Sequence, residues 1–235
     1  MKPLLFFIFL LISCITNAQV NIEFEKSNFP NQKEQFKEAR RNYEDGKDLF
    51  RDGYKVYLDQ LEFFVNTHHY MPVSRNDCNH AGEAAFRQAL RLLESANRFN
   101  PDNADLNWMI AFSKFCVNRQ SDESLRYFDK AYKLNPNLVP ELAYYAGWAN
   151  QLLAKWDEAA RYYNLYLSYL KTQSKTPSYK LEDVNKKIEE CSVGKKLMAR
   201  PQRVFVDNMG SSVNSSFPDY SAFIAADESA LVFTS

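Results

Sequence analysis

The side chains best equipped for chemistry are His68, His69, Cys78 and His80, close enough in sequence to offer imidazole and thiolate to one metal ion. Their spacing fits no zinc pattern, because no two cysteines are separated by two residues and the adjacent His68 and His69 point to opposite sides of most backbones. The surrounding stretch, 67–79, carries Pro72, Ser74, Asn76 and Asp77 without a period. It reads as a polar insertion, and no metal or cofactor is expected. Apart from Cys14, the cysteines are Cys78, Cys116 and Cys191, an odd set that forms at most one disulfide and leaves a thiol free. Cys116, beside Phe115, reads as a small core residue.

No Ser, His and Asp constellation, nucleophile elbow or Gly-rich phosphate loop is present, nor a carboxylate pair in an apolar setting. Asp102, Asp105, Asp122, Glu123, Asp157 and Glu158 stand at expected helix starts. There they complement the helix dipole, each contributing about 0.3 to 1 kcal/mol, and no catalytic role is required. The chain is not expected to be an enzyme.

What the sequence offers instead is repeated architecture. Trp108, Ala111, Phe112 and Phe115 recur at helical spacing; after a polar break at 118–122, Leu125, Phe128, Ala131 and Tyr132 do the same. That pattern predicts a helical hairpin. Shifting the frame by 35 residues forward maps Phe112 onto Gly147, Ser124 onto Ala159, Phe128 onto Tyr163 and Ala131 onto Tyr166. The same shift backward maps Ser124 onto Ala89, Phe128 onto Leu93, Ala131 onto Ala96 and Pro136 onto Pro101. With Trp108, Phe115, Ser124, Phe128, Ala131 and Pro136 at their offsets, the chain resembles a tetratricopeptide (TPR) array. Phe112 departs from the pattern, which prefers Gly there, so its two helices are expected to sit farther apart or shift in register.

Elsewhere the elements must fit that frame. The chain has 235 residues, 46% hydrophobic and 25% charged, with zero formal net charge. This balance suits a core-forming protein and gives no support to nucleic-acid binding or an electrostatic membrane patch. Residues 1–18 read as an export signal, with Lys2, an apolar run from Leu4 to Ile12, and Thr16-Asn17-Ala18 before a cut. Leu11-Ile12-Ser13-Cys14 also looks like a bacterial lipobox, in which Cys14 would be acylated, so both processing routes stand open. Changing Cys14 to Ser separates them: mass spectrometry of the mature N-terminus should show a diacyl or triacyl Cys14 lost in the variant, or an unmodified start at Gln19 in both. An extension, 20–31, precedes the repeats, expected over 32–195.

The first of these is a degenerate hairpin of helices over 32–52 and 54–66 with a turn at Gly53. A second helix over 82–99 and a further repeat over 140–171 follow. A capping helix over 181–191 turns Leu181, Val184 and Ile188 inward and Glu182, Asp183, Lys186, Lys187 and Glu189 outward. The 140–171 repeat holds Tyr144, Tyr145, Trp148, Trp156, Tyr162, Tyr163, Tyr166 and Tyr169. If Gly147, Ala159, Tyr163 and Tyr166 fill its core, Trp148, Tyr162 and Tyr169 face elsewhere. They are then either a partner surface or packed against the cap and the C-terminal segment.

Past 200 the composition turns β-rich, with Arg203-Val204-Phe205-Val206 and Leu231-Val232-Phe233-Thr234. Val213-Asn214-Ser215, Asp219-Tyr220-Ser221 and the run from Asp227 to Ser235 resemble the first blade of a WD40-like (PD40) β-propeller. The usual Asp-Gly hairpin is Asp227-Glu228 here, and Ala222 replaces the usual Pro. One incomplete blade over 200–235 cannot close a propeller of about four to eight blades. Its completion requires more chain or a partner.

TPR repeats followed by such a blade are similar to a family of Bacteroidetes outer-membrane proteins that usually end in an OmpA-like peptidoglycan-binding domain. The stretch from Ile188-Glu189-Glu190-Cys191 through Gly194-Lys195 carries that likeness most specifically. The resemblance implies a mostly α chain, a TPR-like α-solenoid with a C-terminal β segment beginning a propeller. It further implies a periplasmic, outer-membrane-associated scaffold of the type IX secretion and gliding kind. Its partners would be an outer-membrane barrel and other secretion or motility components, with peptidoglycan reached through a domain outside this chain and the membrane only through a lipid anchor. The alternative is a periplasmic module that captures a peptide or glycan in the groove of the array.

Overall fold

The computed structural model describes residues 20–68, 82–118, 122–201, 210, 220–227 and 229–234. The signal segment with Cys14, the residues His69, Cys78 and His80, and the runs 203–206 and 213–215 lie outside these. The chain divides into two compact units at Leu197/Met198.

The first unit is built from α1 (Lys33–His68), α2 (Glu83–Phe99), α3 (Ala104–Val117), α4 (Glu123–Leu134), α5 (Glu141–Leu152), α6 (Trp156–Thr172) and α7 (Ser178–Met198). Successive pairs are antiparallel hairpins. Gly46 meets Leu93 and Gly53 meets Phe86 across α1 and α2, the Trp108 and Phe115 rings both meet Phe128 across α3 and α4, and Gly147 meets Tyr163 across α5 and α6. The first helices of the pairs meet side by side through the ring contacts Phe50–Phe112 at 6.0 Å and Phe112–Tyr145 at 4.8 Å, forming one layer. α7 extends that layer, with Tyr144 donating to Asp183 at 2.8 Å and Gln151 donating to Glu190 at 2.9 Å. The cap is longer than expected, running from Ser178 to Met198.

The positions read from the repeat frame are where the core sits. Trp108, Phe112, Phe115, Ser124, Phe128, Ala131, Ala159 and Tyr163 are all buried, and Pro136 follows the end of α4. Gly147 is required by a close approach, because a Cβ there would lie 2.8 Å from the Tyr163 ring. Phe112 points among Tyr54, Tyr57, Phe86 and Tyr145, so its ring fills space between neighbouring hairpins. Asn103 caps α3 by accepting from the Leu106 amide at 2.8 Å, a cap worth about 1 kcal/mol.

The expected turn at Gly53 is overturned. α1 is one unbroken helix from Lys33 to His68, and Gly53 is buried in it. Glycine is needed there because α2 starts against it: a Cβ on Gly53 would touch Phe86 at 3.0 Å, and one on Gly82 would lie 2.3 Å from the Gly53 carbonyl oxygen. Gly82 itself has φ +75, which glycine adopts without strain. The partner of α2 is therefore α1, and the stretch joining them lies between the two helices of one hairpin.

The second unit contains an antiparallel pair, β1 (Tyr220–Ile224) and β2 (Leu231–Thr234), with Phe223 opposite Val232 and Ile224 opposite Leu231. Asp227 organises the connection by accepting from the Ser229 amide at 3.2 Å and hydroxyl at 2.7 Å.

Candidate binding cleft

Two of the three rings expected to face outward, Trp148 and Tyr162, are buried. Trp148 is 4% exposed and Tyr162 1%. Trp148 packs edge-on to Phe115 of α3 at 5.3 Å, with the Lys187 ammonium of α7 5.1 Å from the centre of its ring. Tyr162 meets Tyr132 of α4 at 5.6 Å, donates its hydroxyl to Asp129, and has the Arg161 guanidinium over its face. Both are covered by the chain itself, so their assignment as an open partner surface is corrected. Tyr169 remains partly open at 38%.

The cap hides a second difference. Asp183 and Lys187, expected on its polar outer face, have side chains only 9% and 6% exposed and face each other at 3.8 Å. Burial pushes the Asp183 carboxyl above its ordinary value, opposed by Lys187 and by the hydrogen bond from Tyr144. The Tyr144 hydroxyl is likewise pushed up, by its own burial and then by the Asp183 charge. Cys191, one turn beyond Lys187, is buried, and Cys116 is partly buried.

Beyond the start of α2, the distal part of α1 crosses the α3 and α5 layer. Tyr54 and Tyr57 stand edge-on to Phe112 at 5.0 and 5.2 Å, and the Tyr57 and Tyr145 hydroxyls are 3.3 Å apart. Farther along, α1 separates from the layer and leaves a cleft of about 490 Å³. One wall is Leu58, Leu61 and Val65 of α1; the opposite wall comes from α5, α6 and α7 through Tyr144, Tyr145, Tyr166 and Tyr179. Glu62, Glu141, Asp183 and Lys180 supply its charges. The Glu141 carboxylate is felt on both sides, since after burial it is the leading cause raising the hydroxyls of Tyr54 on α1 and Tyr166 on α6.

No family model, curated protein or solved structure matches this chain. The cleft contains a non-polar wall, several phenol rings and carboxylates, a set that binds and orients but holds no nucleophile paired with a base. Among the described residues no cluster of three or more His, Cys, Asp or Glu side chains is placed to hold a metal, and no helix is long and apolar enough to cross a membrane. The side chain of His68 lies outside the described set along with His69, Cys78 and His80.

The N-terminal extension supplies a feature that sequence patterning missed. The Ile22 amide donates to the Asp102 carbonyl at 2.7 Å, the Ile22 carbonyl accepts from Asn100 and Asn103 at 2.9 and 3.0 Å, and Asn21 accepts from the Ala104 amide at 2.7 Å. Phe24 stacks on Tyr43 at 4.5 Å. These residues strap the start of the array to the α2–α3 corner. Three asparagines, Asn21, Asn100 and Asn103, were the available signal, but the pairing is across about eighty residues and has no local period.

Proposed function

We propose that this chain is a non-enzymatic periplasmic scaffold of TPR type that joins an outer-membrane assembly to the cell wall, as a PorE-like component of type IX secretion and gliding would. The observation that carries the reading is the distal half of α1. It lies over the helix layer that TPR-type grooves use to hold extended peptides, with Tyr57 buried against Tyr145. A groove filled by the chain's own first helix favours a rigid adaptor over a peptide receptor. The second reading, capture of a peptide or glycan, retains the cleft of about 490 Å³ beside α1, room for a side chain or two.

The strand pair supports the same architecture. Phe223, Ile224 and Val232 are 67%, 61% and 64% exposed, and an isolated hairpin is marginal in water, so β1 and β2 are proposed as part of a propeller blade that further strands cover. The wall contact belongs to an OmpA-like domain beyond the propeller, and membrane attachment to a lipid on Cys14. The test is affinity isolation of the tagged full-length protein from its source cells after mild crosslinking. An integral outer-membrane barrel and peptidoglycan should co-isolate with it. Recovery wholly in the soluble periplasmic fraction, with neither, contradicts the proposal.

A further inference from the structure

We infer that the cleft between α1 and α7 takes a basic side chain, arginine or lysine, presented beside an apolar residue by an exposed segment of the partner protein. The inference rests on the scaffold reading only in taking the occupant to be a protein.

Three features of the cleft select that chemistry. Leu58, Leu61 and Val65 recur at helical spacing along one wall, and Leu58 is 40% exposed, which leaves an aliphatic strip open to an apolar neighbour. Facing it are phenol rings, Tyr166 and Tyr179 among them, whose negative faces attract a guanidinium or ammonium. The charges are unequal. Asp183 is already matched by Lys187, whereas Glu62 and Glu141 have no ion-pair partner among the described residues, against a single further ammonium, Lys180. Glu62 is exposed and Glu141 half-buried at the cleft, so an entering cation makes charge-assisted contacts with both. An acidic segment is repelled by the unmatched carboxylates. The volume of about 490 Å³ admits one long side chain and its neighbour.

The experiment titrates the isotope-labelled full chain with acetyl-leucyl-arginine amide, acetyl-leucyl-glutamate amide and chitotetraose, following amide resonances. The basic dipeptide should shift Leu58, Leu61 and Tyr179 saturably. The double change Glu62→Gln and Glu141→Gln should weaken that binding about tenfold while leaving the chain folded, as loss of charge-assisted contacts predicts. Equal binding of the acidic dipeptide, binding of the tetrasaccharide alone, or indifference to the double change overturns the inference. So does a double variant that still isolates its outer-membrane barrel at the wild-type yield. Failure of the wild type to isolate any barrel counts instead against the scaffold reading, whatever the dipeptides do.

Discussion

Replacing Lys187 by methionine is expected to destabilise the helical unit by about 3 kcal/mol at neutral pH, the usual order for removing one partner of a buried ion pair. Lys187 and Asp183 face each other at 3.8 Å with 6% and 9% of their side chains exposed. Methionine keeps the length of the stem over Trp148 and removes the charge, so the loss reports electrostatics more than packing. The pH dependence gives the prediction a second handle. Asp183 is already pushed above its ordinary value by burial, and Lys187 is the main influence pulling it down. Without Lys187 it rises further. A carboxyl that binds its proton more tightly in the folded than in the unfolded chain gains stability on acidification. The deficit of the variant should therefore shrink as pH falls through the folded value of Asp183, and should stop changing below the unfolded value near about 3.9. Adding Asp183→Asn preserves an acceptor for the Tyr144 hydroxyl and removes the stranded charge, so the double variant should regain most of the loss at neutral pH. Urea melts at two pH values check both statements; a deficit that grows on acidification would show that Asp183 is not the stranded group.

Phe112→Ala is expected to cost about 3 to 5 kcal/mol, the range for deleting a large buried ring. Phe112 is 0% exposed, and its ring lies within 6.0 Å of those of Phe50, Tyr54, Tyr57, Phe86, Trp108 and Tyr145, drawn from four helices. No one helix can move in to fill the void, so the cavity persists and the cost falls at the upper end. Phe112→Gly, which restores the residue that the repeat pattern prefers, should be worse still by about 1 kcal/mol, through helix propensity. A loss below about 1 kcal/mol for Phe112→Ala would mean that the rings around it close over the gap.

Phe112 also shows what sequence could and could not tell. Its burial followed from the 3.6-residue period, and so did Ser124, Ala159, Phe128 and Tyr163, because second helices α2, α4 and α6 keep one face to solvent and write that face into their pattern. α5 does not: Leu142 through Asn150 are buried without a break. A helix enclosed by neighbours on every side has no period from which an outward face can be read, and that is why Trp148 was assigned to a surface it does not occupy. Tyr162 was misplaced for a related reason, since Asp129 and Tyr132, which cover it, belong to the preceding hairpin. Gly53 was taken as a chain break because glycine ends helices in isolation. Its actual role, admitting the start of α2 at Gly82, is visible only once two segments distant in sequence are side by side. Asp183 and Lys187 stood among charges that any surface helix carries, and nothing local distinguished the pair facing Tyr144 from Glu182, Lys186 and Glu189.

The cleft was illegible for the same cause. Its walls come from α1, α5, α6 and α7, and its existence depends on how far α1 runs past α2. That extension also decides between an adaptor and a receptor, so its state in solution is the point on which the functional account turns. Amide hydrogen exchange over 54–67 measures it. A helix held against α3 and α5 should protect the amides of Tyr57, Phe64 and their neighbours to a level comparable with α3 itself. If those amides exchange as rapidly as a solvated, fraying helix end while α3 stays protected, α1 does not occupy the layer, the groove is open, and the adaptor reading gives way to peptide capture.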